Sequence, residues 1–212
     1  VKQIFLLFTI ISLISCFDQV NRQHSSKTDN LNSDSIPKNY VDTISELEQQ
    51  STILNYDSLG VLISKIRFDV KTDNLEDYKD GIIQSIRIDS PQFEIKNLIG
   101  RDEVVIQEKE ITVIVDYPLS SNYKFELISK NGFTRAQLIK EISKCYYQLY
   151  DEEEKTATIK TVPMQQRKIF NRNQTNGKYG IWGHDIGDLV LDEIHVFKNA
   201  IGKVTLTLQL ES

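Results

Sequence analysis

The segment NGKYGIWGHDIGDLVLD, residues 176–192, gathers the side chains best suited to chemistry. It carries four of the nine glycines, the single tryptophan and one of the three histidines. His184 stands next to Asp185, with Asp188 one turn further on. An imidazole beside a carboxylate can act as a general base with its orienting partner, or as two metal ligands. A tetrahedral zinc site needs further ligands, and the other histidines are His24 and His195, far away in the chain. No metal and no cofactor are therefore expected. A Gly-x-Ser-x-Gly elbow, a phosphate loop and a dinucleotide fingerprint are all missing from the sequence. The residues that remain for catalysis are His184, Asp185 and Asp188, in a hydrolase-type reaction. Whether the chain is an enzyme stays open.

The same segment supports a binding reading. Tyr179 and Trp182, close in sequence to Arg167, Lys168, Arg172 and several asparagines, would suit an envelope sugar or peptide, through ring stacking and polar hydrogen bonds. Tyr179, Trp182 and Arg172 are the candidate binding residues. A third reading is structural: Trp182 plugs the core while His184 and Asp185 tie the loop's own backbone, since buried polar groups must be paired. Gly177, Gly180, Gly183 and Gly187 predict left-handed backbone or close approaches. Four consecutive acidic residues, Asp151 to Glu154, stand where a helix C-terminus is electrostatically negative. They are expected to be solvated, because calcium loops need spaced ligands.

The beginning of the chain speaks to location. Lys2 precedes an apolar or hydroxyl run from Ile4 to Ser15 that is too short to span a bilayer and has the layout of a secretory signal. Leu13-Ile14-Ser15-Cys16 resembles the bacterial lipobox. That resemblance implies cleavage before Cys16, diacylglycerol on its sulfur and usually a further acyl chain such as palmitate on its nitrogen. The expected product is a lipoprotein of the cell envelope, anchored to the membrane through Cys16, with its domain outside the cytoplasm. Cys145 then has no partner and is expected as a buried, unreactive thiol on a helix stripe.

The formal charge of −5 becomes −6 without Lys2. Such acidity argues against a nucleic-acid binder and against a polybasic membrane patch, although two acyl chains suffice for stable anchoring. Residues 16–35 are polar and aperiodic, which predicts a tether below Cys16 with a typical span of about 25 Å. Residues 36–212 are long enough for a single domain with its own core.

Within that domain, Val41, Ile44 and Leu47 predict an amphipathic helix from Asn39 to about Leu54. KIRFDV and IIQSIRID read as strands, the second with Ile82, Gln84, Ile86 and Ile88 on one face and Pro91 as its stop. ITVIVDY and YKFELIS alternate likewise. Thr134 and Gln137 form a capping box, and Leu138, Ile142, Cys145 and Leu149 then make one apolar stripe, widened by Ile139, Tyr146 and Tyr150, to about Glu153. LDEIHVFK and KVTLTLQLES, joined by NAIG, predict a closing hairpin. The expected class is α+β, an antiparallel sheet with one long amphipathic helix packed on one face. The connection from about 165 to 188 has no period of its own. It is too apolar for disorder, so it is expected to be packed and shaped.

Residues 133–197 also resemble an uncharacterised group found in plants and bacteria that carries Tyr-Gly-Ile-Trp-Gly-His-Asp before a short apolar-acidic run. The shared features include the Gly-Phe-Thr-Arg-Ala helix start. That resemblance implies no activity, but it makes the cluster around His184 more than a coincidence of composition.

Overall fold

Hydrophobic alternation produces two hairpins, and the way they meet sets the architecture. The computed structural model describes residues 38–51 and 55–212. The expected signal peptide, Cys16 and the tether lie outside the described residues. Residues 34–212 form one compact unit.

The chain runs through α1 (Lys38–Ser51), β1 (Val61–Arg67), β2 (Val70–Lys71), β3 (Ile82–Ile83), β4 (Ile86–Arg87), β5 (Val104–Ile106) and β6 (Glu110–Val115). It continues through β7 (Tyr123–Ile128), β8 (Phe133–Thr134), α2 (Arg135–Thr156), β9 (Val190–Lys198) and β10 (Val204–Glu211). The main sheet has the order β1-β9-β10-β6-β7, with β4 also pairing β9. The fold is α+β, but its sheet is mixed.

β6–β7 and β9–β10 are antiparallel hairpins, as tight connections require, whereas β10 runs parallel to β6. An all-antiparallel sheet was the expectation. The parallel pair joins two hairpins that β8, α2 and the long loop separate in sequence, a connection invisible to strand-by-strand periodicity. β6 is buried from Ile111 to Val115 on both of its faces, as befits an interior strand flanked by β10 and β7. β7 at the edge keeps a clean alternation, with Tyr123, Phe125 and Leu127 half-buried and Lys124, Glu126 and Ile128 exposed.

IIQSIRID departs from its pattern. It is two short pieces, β3 pairing with β2 and β4 pairing with β9. Ile86 and Ile88 are fully buried, while Gln84 is exposed. Alternation is shared by any strand-like stretch, and only available neighbours decide whether it pairs as one strand. Pro91 does end the extended backbone, opening a short 3-10 turn.

α2 forms as its sequence dictates. The Thr134 hydroxyl accepts from the Gln137 amide at 3.2 Å, and the Gln137 side chain accepts from the Thr134 amide at 2.9 Å. Leu138, Ile139, Ile142, Cys145, Tyr146 and Leu149 are buried in one continuous core with Ile111, Val113, Val115, Ile194, Val196, Leu206 and Leu208 of the strands. Cys145 is a free thiol, and burial pushes its pKa up to about 12, which makes it unreactive at neutral pH. At the far end, Gly202 (φ 84°) turns β9 into β10.

Candidate functional site: the loop braced on the end of helix α2

The loop from Ala157 to Leu189 is ordered because helix α2 ends in carboxylates that serve it. Glu153 has no solvent-accessible surface. Its Oε1 accepts from Thr175 Oγ1 at 2.6 Å and the Gly177 amide at 2.7 Å. Its Oε2 accepts from the amides of Tyr179 at 2.7 Å and Gly180 at 3.2 Å. Burial pushes the Glu153 pKa up, yet the donors outweigh it and hold the group below the ordinary value. Glu152 receives Lys178 Nζ at 2.8 Å and the Tyr179 hydroxyl, and Glu154 receives Thr161 Oγ1 at 2.9 Å. Glu152, Glu153 and Glu154 therefore anchor the loop, against the expectation of a solvated run, while Asp151 is exposed and pairs with Lys155. Carboxylates that offend the helix dipole were the available signal for it.

Two glycines are required by this arrangement. A Cβ on Gly177 would sit 2.7 Å from the Glu153 carboxyl, and Gly180 is left-handed (φ 65°). Gly183 is left-handed too, at φ 70°.

Arginines supply the second brace. Arg167 makes a two-point contact with Asp185, Nη1 to Oδ2 at 2.6 Å and Nη2 to Oδ1 at 3.0 Å. It also donates to the carbonyls of Val162 at 2.7 Å and Phe170 at 3.2 Å, so one side chain closes the excursion 162–170. Arg172 is buried. Its guanidinium lies 5.3 Å from the Tyr150 ring centre, donates to the Ile181 carbonyl at 3.2 Å and lies 3.7 Å from Asp185. Burial lowers its pKa from the ordinary arginine value. The Arg172 and Gly183 backbones pair in both directions.

The sequence candidates thus fall into different places. Trp182 and Tyr179 are buried, with Trp182 edge-on to Tyr117 at 5.2 Å and Tyr179 edge-on to Tyr123 at 5.3 Å. Together with Arg172 they form the interior of the loop. Asp185 is held by Arg167, and its amide donates to Asp188 Oδ2 at 2.8 Å. His184 and Asp185 do not pair; adjacent side chains diverge in extended backbone.

His184 is the outlier. It is 8% exposed and lies tilted on Tyr117, with ring centres 5.4 Å apart. Tyr150 donates its hydroxyl to the His184 carbonyl at 2.9 Å. The His184 Nε2 is buried and has no hydrogen-bond partner among the described residues. Burial lowers its pKa, against the charges of Asp188, Glu48 and Asp185, so the ring is neutral at pH 7. His184 and Asp188 line a cleft of about 430 Å³ with Met164, Phe170, Asn171, Gly183 and Ser212. Within it the Ser212 hydroxyl is shared with Tyr117 at 3.0 Å. A neighbouring cleft of about 440 Å³ is lined by Ser120, Gln174, Asn176 and Gly180 among others. There Ser120 Oγ already donates to the Gly180 carbonyl and accepts from Gln174. Of these two clefts, the first is the one lined by a residue, His184, with a buried unsatisfied polar atom.

Among the described residues no group of histidine, cysteine or acidic side chains is arranged to hold a metal ion. No helix among them is long and apolar enough to cross a membrane. No protein-family model matches the chain, and neither curated proteins nor solved structures include one similar to it.

Proposed function

We propose that the chain is a lipid-anchored protein of the bacterial cell envelope, held at the membrane through Cys16, whose domain binds a ligand at the cleft in its 165–188 loop. The observation that carries this reading is His184, which lines that cleft and whose Nε2 is buried and has no hydrogen-bond partner among the described residues. An unmade hydrogen bond of this kind costs about 1–3 kcal/mol, which a ligand completing it would recover. Asn171 and Asp188 offer further polar contacts, and Phe170 and Met164 an apolar rim. A ligand combining hydroxyl or amide groups with an apolar face, such as an envelope sugar or peptide fragment, suits that lining. Helix α2, taken to lie across one face of the sheet, supplies the rigid base, and its acidic end holds the loop to it.

A hydrolytic reading has one point in its favour, that His184 and Asp188 share a cleft. It lacks an activated nucleophile, because Ser212 bonds to Tyr117 instead of the imidazole. A purely structural role describes Trp182, Tyr179 and Arg172 well, but it leaves His184 Nε2 without a reason.

The test is proton NMR of the His184 ring in residues 34–212, titrated with defined peptidoglycan fragments. A saturable shift, abolished in His184→Phe with the fold retained, supports the binding site. Unmoved ring signals across sugars and peptides would reject it. Mass spectrometry of the amino-terminal peptide of the full chain, expressed in a bacterium that lipidates exported proteins, tests the anchor separately.

A further inference from the structure

The excursion 162–170 is ordered and yet keeps large apolar side chains in water. Phe170 is 78% exposed and Met164 52% exposed, and Ile159 just before the excursion is also exposed. Arg167 spends four hydrogen bonds, two to Asp185 and two to the backbone, on holding this shape. Beside the Met164–Phe170 cleft lies a second, largely apolar hollow of about 330 Å³, lined by Val162, Ile169, Lys168 and Arg167 among others. Asn171 belongs to both, so the two adjoin.

Charge sets this region apart from the rest of the chain. From residue 155 to 184 there are six cations, Lys155, Lys160, Arg167, Lys168, Arg172 and Lys178, and no carboxylate, in a chain of net charge −5. Several of the six are engaged: Lys155 with Asp151, Lys178 with Glu152, and both arginines with Asp185. Lys160, just before the excursion, donates to the Glu154 carbonyl but is exposed, and Lys168, within the excursion, is exposed too.

We propose that this excursion docks on an anionic phospholipid surface, with Phe170 and Met164 entering the headgroup region and Lys160 and Lys168 contacting phosphates. Exposed apolar side chains with lysines nearby in the chain are the composition that binds such an interface. The docking is weak alone and gives the domain a preferred orientation at the surface. It rests on the anchored reading for proximity, and because Phe170 and Met164 also rim the ligand cleft, docking and ligand binding at that cleft compete.

The experiment is sedimentation of residues 34–212, which contain the whole core and carry no acyl chain, with vesicles of phosphatidylglycerol and phosphatidylcholine. The expected result is binding that rises with phosphatidylglycerol content and falls with salt. Phe170→Ala should weaken partitioning about ten-fold, and Lys160→Gln/Lys168→Gln about five-fold per charge. Phe170 is exposed, so an unchanged unfolding midpoint shows that the variant is folded. No vesicle binding by the wild-type fragment overturns the proposal, as does binding that Phe170→Ala leaves intact. Concentration-dependent self-association lost in Phe170→Ala, without vesicle binding, would overturn it in favour of a second copy. None of these outcomes bears on whether Cys16 is lipidated, so the anchor and the docking surface fail independently.

Discussion

Two buried carboxylates, at opposite ends of the chain's central elements, meet opposite fates. Glu153 in the last turn of α2 has four donors and a pKa below the ordinary value. Asp116, just past β6 and only 8% exposed, is pushed by burial up to about 6, with only its own backbone amide opposing the shift. Burial works in the same direction on both. What differs is the supply of N–H and O–H groups, so the number of donors aimed at a carboxylate, and not its depth, decides whether it holds the fold or strains it.

Substitutions can break that contrast. The largest effect should come from Glu153→Gln, which turns an acceptor of four hydrogen bonds into a group whose amide faces donors. Stability should fall by at least about 3 kcal/mol, and the midpoint by roughly 2–4 °C per kcal/mol. Amide hydrogen exchange should accelerate at Gly177, Tyr179 and Gly180 while β9 and β10 stay protected. A neutral outcome would mean that the anchor does not hold the loop.

Asp116→Asn should do the reverse, raising stability at pH 7 by up to about 3 kcal/mol, the equivalent of its shift from 3.8 to about 6. A carboxyl whose folded pKa is raised gains stability as pH falls from about 6 towards 3.8, because the folded state takes up the proton first. The advantage of the asparagine variant should therefore shrink through that window, as followed by denaturant titration at successive pH values. Glu153 has the opposite sign: its contribution is complete above about 4.5 and is lost as pH falls through its lower folded value.

Thr175→Val sharpens the argument by removing one of Glu153's four donors. A loss of about 1.5–2 kcal/mol is expected, together with a rise in the Glu153 pKa measurable by carboxyl carbon NMR. An unchanged pKa would separate the carboxylate's state from its donors.

The smallest effect belongs to His184. Its folded pKa is lowered from 6.5, so its contribution is present above about 6.5 and declines as pH drops through the folded value. Wild type and His184→Phe should diverge as pH falls below 6.5, with the phenylalanine variant flatter. Identical profiles would show that the ring titrates as it does in water.

The elements behind this contrast differ in how plainly they could be read. The start of α2 was legible because Thr134 and Gln137 satisfy each other three residues apart. The stripe from Leu138 to Leu149 and the hairpin β9–β10 were legible because period and turn chemistry are local. Its end was not, since Glu153 finds its donors 22 to 27 residues away. For the same reason the pairing of Asp185 with Arg167 was hidden behind the more conspicuous neighbour, His184, and Trp182 looked available as a stacking platform when it fills the loop's interior.

The α+β class, the helix with its cap, the final hairpin and the need for Gly177, Gly180 and Gly183, though not Gly187, were legible in the sequence. All of these follow from backbone preferences and side-chain period over a few residues. Tertiary contacts decided that β10 lies parallel to β6, that IIQSIRID splits between two partners, that the acidic end of α2 anchors the loop, and that, among the described residues, His184 Nε2 stays unpaired along with the buried hydroxyls of Thr112 and Thr207. Each of those depends on which distant group arrives within hydrogen-bonding distance, and that is a property of the assembled core.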